Sequence, residues 1–215
     1  MDGPITNVLT FAVFGFMGVR LVSGLRYSRS ATGRSLTGEI VRGIRWRHIW
    51  PVPIVLAVVL AVATPLMYVP GLSWGWWSAL GGQGNPVFGS STATAGSALE
   101  WLVPMLFVAL LIPALPLFAH AEEVIFRRGA QRWSWNRRVF KVVQFGSAHA
   151  LIGIPIGAAL ALSLGGAYFM SVYLRAARST GSENQATLES ARAHTVYNAI
   201  IIVAVVLVIA TGAAS

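Results

Sequence analysis

The chain has 215 residues, of which 55% are hydrophobic and 11% charged; that is about half the charge of an ordinary soluble domain and argues against a water-soluble globule. Its formal net charge of +9 is gathered in blocks between apolar runs, the distribution of cytoplasmic loops in a membrane protein rather than of a nucleic-acid surface. Cysteine is absent, which excludes disulfides, thiolate catalysis and cysteine metal ligands.

Ile5 to Val22 is the first predicted span, read as retained in the membrane because no basic n-region or small-residue cleavage site accompanies it. A stretch with Arg20, Arg26, Arg29, Arg34, Arg42, Arg45 and Arg47 but only Glu39 follows, and it reads as a cytoplasmic loop. Pro51 to Val69 returns outward, its prolines suited to a helix start. Pro70 to Ser97 has no charged residue and carries Trp74, Trp76 and Trp77; it reads as an outside loop with an interfacial tryptophan belt. Residues 1–98 thus form an N-terminal pair of spans, and 99–215 the remainder of a single membrane domain.

Leu99 to Ala119 is the third span, with Pro104, Pro113 and Pro116 predicting kinks or a break. A second basic block, Arg127 to Lys141, is cytoplasmic. Val139 to Tyr173 is too long for one span, and Gly153-Ile154-Pro155 marks a turn. It reads as a helical hairpin, Val139 to Ile152 outward and Ile156 to Leu174 inward. Gln185 to Thr211 is the last helix, polar at its start and aliphatic at its end. The expectation is an all-α, polytopic transmembrane bundle of about six spans with both termini outside, in a plasma membrane, with a prokaryotic composition.

Only seven acidic residues occur in the chain, and two of them are the adjacent pair Glu122-Glu123. Charge at membrane depth is costly, so it is paired, hydrated or functional. Glu123 and Arg127 stand four apart, acid first, the favourable orientation for a pair on one helical face. Glu122 is rotated by about 100° from that face and is left to face a cavity. His149 lies on the hairpin's first arm, roughly 12 Å beyond Lys141 at 1.5 Å per residue, with Phe145 one turn before it. His194 and Asn198 share a face of the last helix. These groups reach a similar depth near the cytoplasmic side. A carboxylate, two imidazoles and a carboxamide suit water activation and oxyanion stabilisation. The same set also suits a divalent metal. Polar groups in membrane helices commonly serve only as interhelical glue. His120 is assigned to that role, His48 to a solvated or interfacial position, and Arg192 to pairing with Glu189 or a lipid phosphate.

In order, Glu122-Glu123-x-x-x-Arg127, Phe145-x-x-x-His149 and His194-x-x-x-Asn198 resemble the three motifs of the CPBP family of intramembrane proteases (CAAX proteases and bacteriocin-processing enzymes). Thr180-Gly181-Ser182 resembles a further family feature. The likeness covers about Ala119 to Ile202 and omits the first two spans. It implies a helical-bundle endopeptidase acting on a membrane-associated or lipidated protein or peptide. Glu122 would be the water-activating base, His149 would hold the water, and His194 and Asn198 would stabilise the oxyanion. Glu123, Arg127 and Phe145 would support them. The preferred mechanism uses no cofactor; the alternative is zinc held by Glu122, His149 and His194. Non-catalytic members, among them bacteriocin immunity proteins, are the competing expectation. Arg175, Arg178, Glu183, Glu189 and Arg192 give the stretch before the third motif more charge than the pattern predicts.

Overall fold

The computed structural model describes residues 4–76 and 99–210. Trp77 and the rest of the expected outside loop fall beyond these residues. In chain order the helices are α1 (Pro4–Arg29), α2 (Ala31–Arg42), α3 (Trp46–Ile49), α4 (Pro51–Leu66), α5 (Leu99–Leu111), α6 (Leu115–Phe126), α7 (Trp135–Ala148), α8 (Ile156–Thr180) and α9 (Glu183–Ala210). Among the described residues there is no strand. Four helical stretches among the described residues are long and apolar enough to cross a membrane: Trp46–Leu66, Met105–Arg132, Ile156–Thr180 and Glu183–Leu207. α1 covers the first expected span.

Along α4 the physical case for a span is plain. Ile54, Val58 and Leu60 are exposed on its sides. Trp46 and Trp50 are exposed at its start, and Tyr68 and Trp74 just past its end. Trp50 and Tyr68 are roughly 27 Å apart at 1.5 Å per residue, close to the thickness of a hydrocarbon core with an aromatic girdle at each face.

Proline breaks the third stretch where expected. α5 ends at Leu111, a 3-10 turn covers Ile112–Ala114, and α6 restarts at Leu115 with Pro116 in its first turn. The hairpin forms with Gly153 at φ 93° in its turn. Its first arm differs from the expectation: α7 starts at Trp135, carries Arg137, Arg138 and Lys141, and gives way to a 3-10 turn at His149–Ile152. It is not among the four long apolar stretches, because its basic first turns and short length lower its hydropathy. At the hairpin tip, the Gly157 amide donates to the Leu72 carbonyl at 2.7 Å and the Ile156 amide to the Trp74 carbonyl at 3.0 Å. Trp76 Nε1 donates to the Leu151 carbonyl at 3.2 Å, so this tryptophan ties the end of α4 to the hairpin rather than only facing lipid.

The basic stretch is not a loop. Ser30 caps α2, accepting from the Gly33 amide at 3.0 Å, and the chain continues into α3 beneath α9. Here the expectation for His48 fails. It is 2% exposed; its Nδ1 accepts from the Arg45 amide at 2.9 Å and its Nε2 meets Glu189 Oε2 at 2.9 Å. Arg47 Nη2 donates to the same carboxylate at 2.7 Å, and Arg192 closes the group from one turn along α9. The reason is tertiary: Glu189 faces α3 and needs donors, and His48 supplies one. Arg192 pairs with Glu189 as expected.

α7 and α8 pack closely because small residues face each other. A Cβ on Gly146 would stand 2.5 Å from the Ala159 carbonyl oxygen and 2.6 Å from the Ser163 amide nitrogen, backbone atoms that cannot turn aside. Beside this seam Val52, Phe145, Phe169, Ala193, Val196 and Tyr197 form a buried apolar cluster. Gly146→Ala should therefore destabilise the protein by about 1–3 kcal/mol, read as a lower melting temperature in detergent; an unchanged melting temperature would mean that the helices have room to part.

Candidate active site

α6 delivers both carboxylates, and its single turn between Glu123 and Arg127 sets their relation. Glu123 and Arg127 are both completely buried. Arg127 Nη1 donates to Glu123 Oε1 at 2.7 Å, as the spacing predicts. The guanidinium lies 4.3 Å from the Phe145 ring centre and 5.3 Å from that of Phe169, and Nη2 reaches the Gly166 carbonyl at 3.4 Å. Aromatic faces thus replace part of the hydration that the cation has lost. Gly166 is required by this arrangement, since a Cβ there would stand 2.8 Å from the Phe145 ring.

Two further donors converge on the same carboxylate from α9. His194 Nδ1 lies 2.8 Å from Glu123 Oε1, and Ser190 Oγ donates to Glu123 Oε2 at 2.5 Å. An ionised carboxylate only accepts, so the His194 proton sits on Nδ1. His194 is wedged by a stacked contact with Phe169 at 4.3 Å and an edge contact with Phe145 at 5.6 Å. Its other nitrogen, Nε2, is 3.7 Å from Glu122 Oε2. That gap is too long for a direct hydrogen bond and suits one water touching both groups.

Glu122 behaves differently from its neighbour. Its side chain is 34% exposed, while that of Glu123 has no exposure. His149 is half-buried; its Nδ1 meets the Phe145 carbonyl at 2.9 Å, which leaves Nε2 as an acceptor in the neutral ring. Its ring stands 5.0 Å from that of Phe145. Phe145 is therefore the wall between both imidazoles. Asn198 is half-buried one turn beyond His194 on α9.

The structure thus brings Glu123, Arg127, Phe145 and His194 into direct contact, sets Glu122 3.7 Å from His194, reaches His149 through Phe145, and places Asn198 one α9 turn from His194. Glu123 and Arg127 are committed to each other; Glu122 is not. Sequence reasoning missed Ser190 and Phe169. For Ser190 a signal existed: Ser190, His194 and Asn198 recur every four residues and stripe one face of α9. No local pattern marks Phe169. His120 lies instead at a separate cleft of about 350 Å³ lined by Glu39, Arg128, Asn184, Gln185 and Leu188.

Among the described residues no three His, Asp or Glu side chains are grouped so as to hold a metal ion. Glu123 already accepts from three donors. No protein-family model matches the chain, and neither a curated protein nor a solved structure matches it.

Removing one partner of a buried ion pair leaves an uncompensated charge. Arg127→Ala should cost about 3–5 kcal/mol, seen as loss of folded protein or a sharply lower melting temperature in detergent. A variant that melts with the wild type would show that Glu123 is held by its α9 donors alone.

Proposed function

We propose that the protein is an intramembrane endopeptidase of the CPBP type, built as about six spans with both termini outside and resident in a plasma membrane, with a prokaryotic composition. The observation that carries this reading is the 3.7 Å approach of Glu122 Oε2 to His194 Nε2, with His194 pinned from behind by Glu123. Both groups lie within stretches long and apolar enough to cross a membrane, where unpaired polar groups mark function. The concentration of arginine in residues 20–47 and 127–138 supports a cytoplasmic position for those segments.

The chemistry follows from which atoms are uncommitted. Glu122 takes a proton from a water held between it and His194, and the water oxygen adds to the carbonyl carbon of a peptide bond. His149 Nε2 accepts a hydrogen bond from the water's second hydrogen when His194 is the imidazolium and donates its Nε2 proton to the water oxygen. Negative charge develops on the former carbonyl oxygen, and the Asn198 amide donates to it. His194 donates to it as well only as the imidazolium, because its Nδ1 proton is already given to Glu123. In that state Arg127, Glu123, His194 and Glu122 carry charges that sum to zero before the proton moves, and once Glu122 is protonated the oxyanion takes its place in the sum, which lowers the cost of burying them. Glu122 then returns its proton to the leaving nitrogen, the C–N bond breaks, and the products are an amine and a carboxylic acid, which loses its proton to solvent. The step runs through the protein's own groups and the water. A membrane-associated or lipidated protein or peptide is the substrate class.

Glu122→Ala, folded and inserted normally, should cleave a membrane-tethered peptide at least about 100-fold more slowly, the usual scale for loss of a general base. Wild-type cleavage should persist in strong chelator with no zinc bound; loss under chelation with recovery on added zinc would favour the zinc-dependent alternative. Full cellular function in Glu122→Gln would favour a non-catalytic membrane role such as bacteriocin immunity.

A further inference from the structure

Three donors compete for the two oxygens of Glu123, and one of them has no part in the chemistry above. Arg127 Nη1 and His194 Nδ1 share Oε1, and Ser190 alone occupies Oε2. Arg127 Nη2, meanwhile, makes only one long bond, to the Gly166 carbonyl at 3.4 Å. Guanidinium and carboxylate ordinarily prefer a two-point pair in which both oxygens are taken. In this site the pair is held to one point, with a spare donor left on the same guanidinium.

We infer that Ser190 is a positioning residue that keeps Glu123 Oε2 away from Arg127 and so reserves Oε1 for His194. Its hydroxyl carries a single proton and has two acceptors in reach, Glu123 Oε2 at 2.5 Å and the Phe169 carbonyl at 2.9 Å. The charged acceptor takes it. Ser190 is wholly buried and fixed on rigid helix, so Oε2 is anchored to α9. Without the hydroxyl, a buried carboxylate oxygen lacks its donor, and the remedy at hand is a turn toward Arg127 Nη2, which completes a two-point pair with Nη1. That turn draws Oε1 from His194 Nδ1. His194 then loses the acceptor that selects its tautomer, and Nε2 ceases to be reserved for Glu122. Ser190 thus acts through Glu123 and His194, on the same helical face as both His194 and Asn198.

The consequence for catalysis rests on the peptidase reading; the consequence for His194 does not. The test uses the full chain in lipid nanodiscs with ¹⁵N-labelled histidine, the His194 signals assigned by comparison with His194→Gln. In the wild type His194 should be protonated at Nδ1. In Ser190→Ala a clear Nε2-protonated population should appear, and kcat on a membrane-tethered peptide should fall about tenfold, the scale of one hydrogen bond to a charged group, with KM within about twofold. Ser190→Thr, which retains the hydroxyl, should restore both. An unchanged Nδ1-protonated signal in folded Ser190→Ala overturns the inference, as does a tautomer change that leaves kcat intact. Should Ser190→Ala not fold, Ser190→Cys replaces it: its weaker donor should give an intermediate population, and a wild-type spectrum there overturns the inference equally. Spectra that shift as expected in a protein with no peptidase activity would sustain Ser190's role and reject the peptidase reading.

Discussion

A carboxylate with no exposure organises this bundle. Glu123 has to be neutralised, and the groups that neutralise it come from three directions. Arg127 comes from its own helix, His194 and Ser190 from α9, and the aromatic faces of Phe145 and Phe169 from α7 and α8 cover the arginine. Satisfying one charge therefore aligns four helices. A buried pair of this kind is weak as a source of stability but strong as a source of specificity, because few other packings would satisfy it. Placing His194 with one nitrogen engaged and the other facing Glu122 follows from that constraint rather than being separately built.

At the helix ends the remaining charge is used as fastening. Glu189 collects His48, Arg47 and Arg192 and ties α3 to α9. Glu183 collects Gln131 and Arg132 and ties the turn after α6 to the start of α9. Tyr173 adds a bond to Gln131 and receives one from the Gly129 amide. Of the charged residues between Tyr173 and His194, Glu183, Glu189 and Arg192 have this use in the fold.

What the sequence disclosed is what helical periodicity alone can carry. The different fates of Glu122 and Glu123 follow from a rotation of one residue, and the Glu123–Arg127 pair from one turn. The alignment of His194 with Asn198 on one face follows in the same way. Proline marked the break between α5 and α6, and Gly153-Ile154-Pro155 the hairpin turn. The contacts that stayed hidden are those set by tertiary packing. His48 and Glu189 are 141 residues apart, so nothing local announced that a histidine after a basic stretch would be buried. α2 was hidden by its glycines and hydroxyl residues, poor helix formers in isolation; its cap and its packing against α6 and α9 hold it. Phe169 was one apolar residue among many.

The central claim is that two neighbouring carboxylates divide structure from chemistry. Its most direct test is a paired comparison of Glu122→Gln and Glu123→Gln, each purified in lipid and assayed for both melting temperature and cleavage of a membrane-tethered peptide. Glu122→Gln should melt close to the wild type and lose cleavage. Glu123→Gln, which leaves Arg127 buried without a counter-charge, should melt far lower. A Glu122→Gln protein that cleaves at the wild-type rate, or a Glu123→Gln protein that melts with the wild type, would contradict the account.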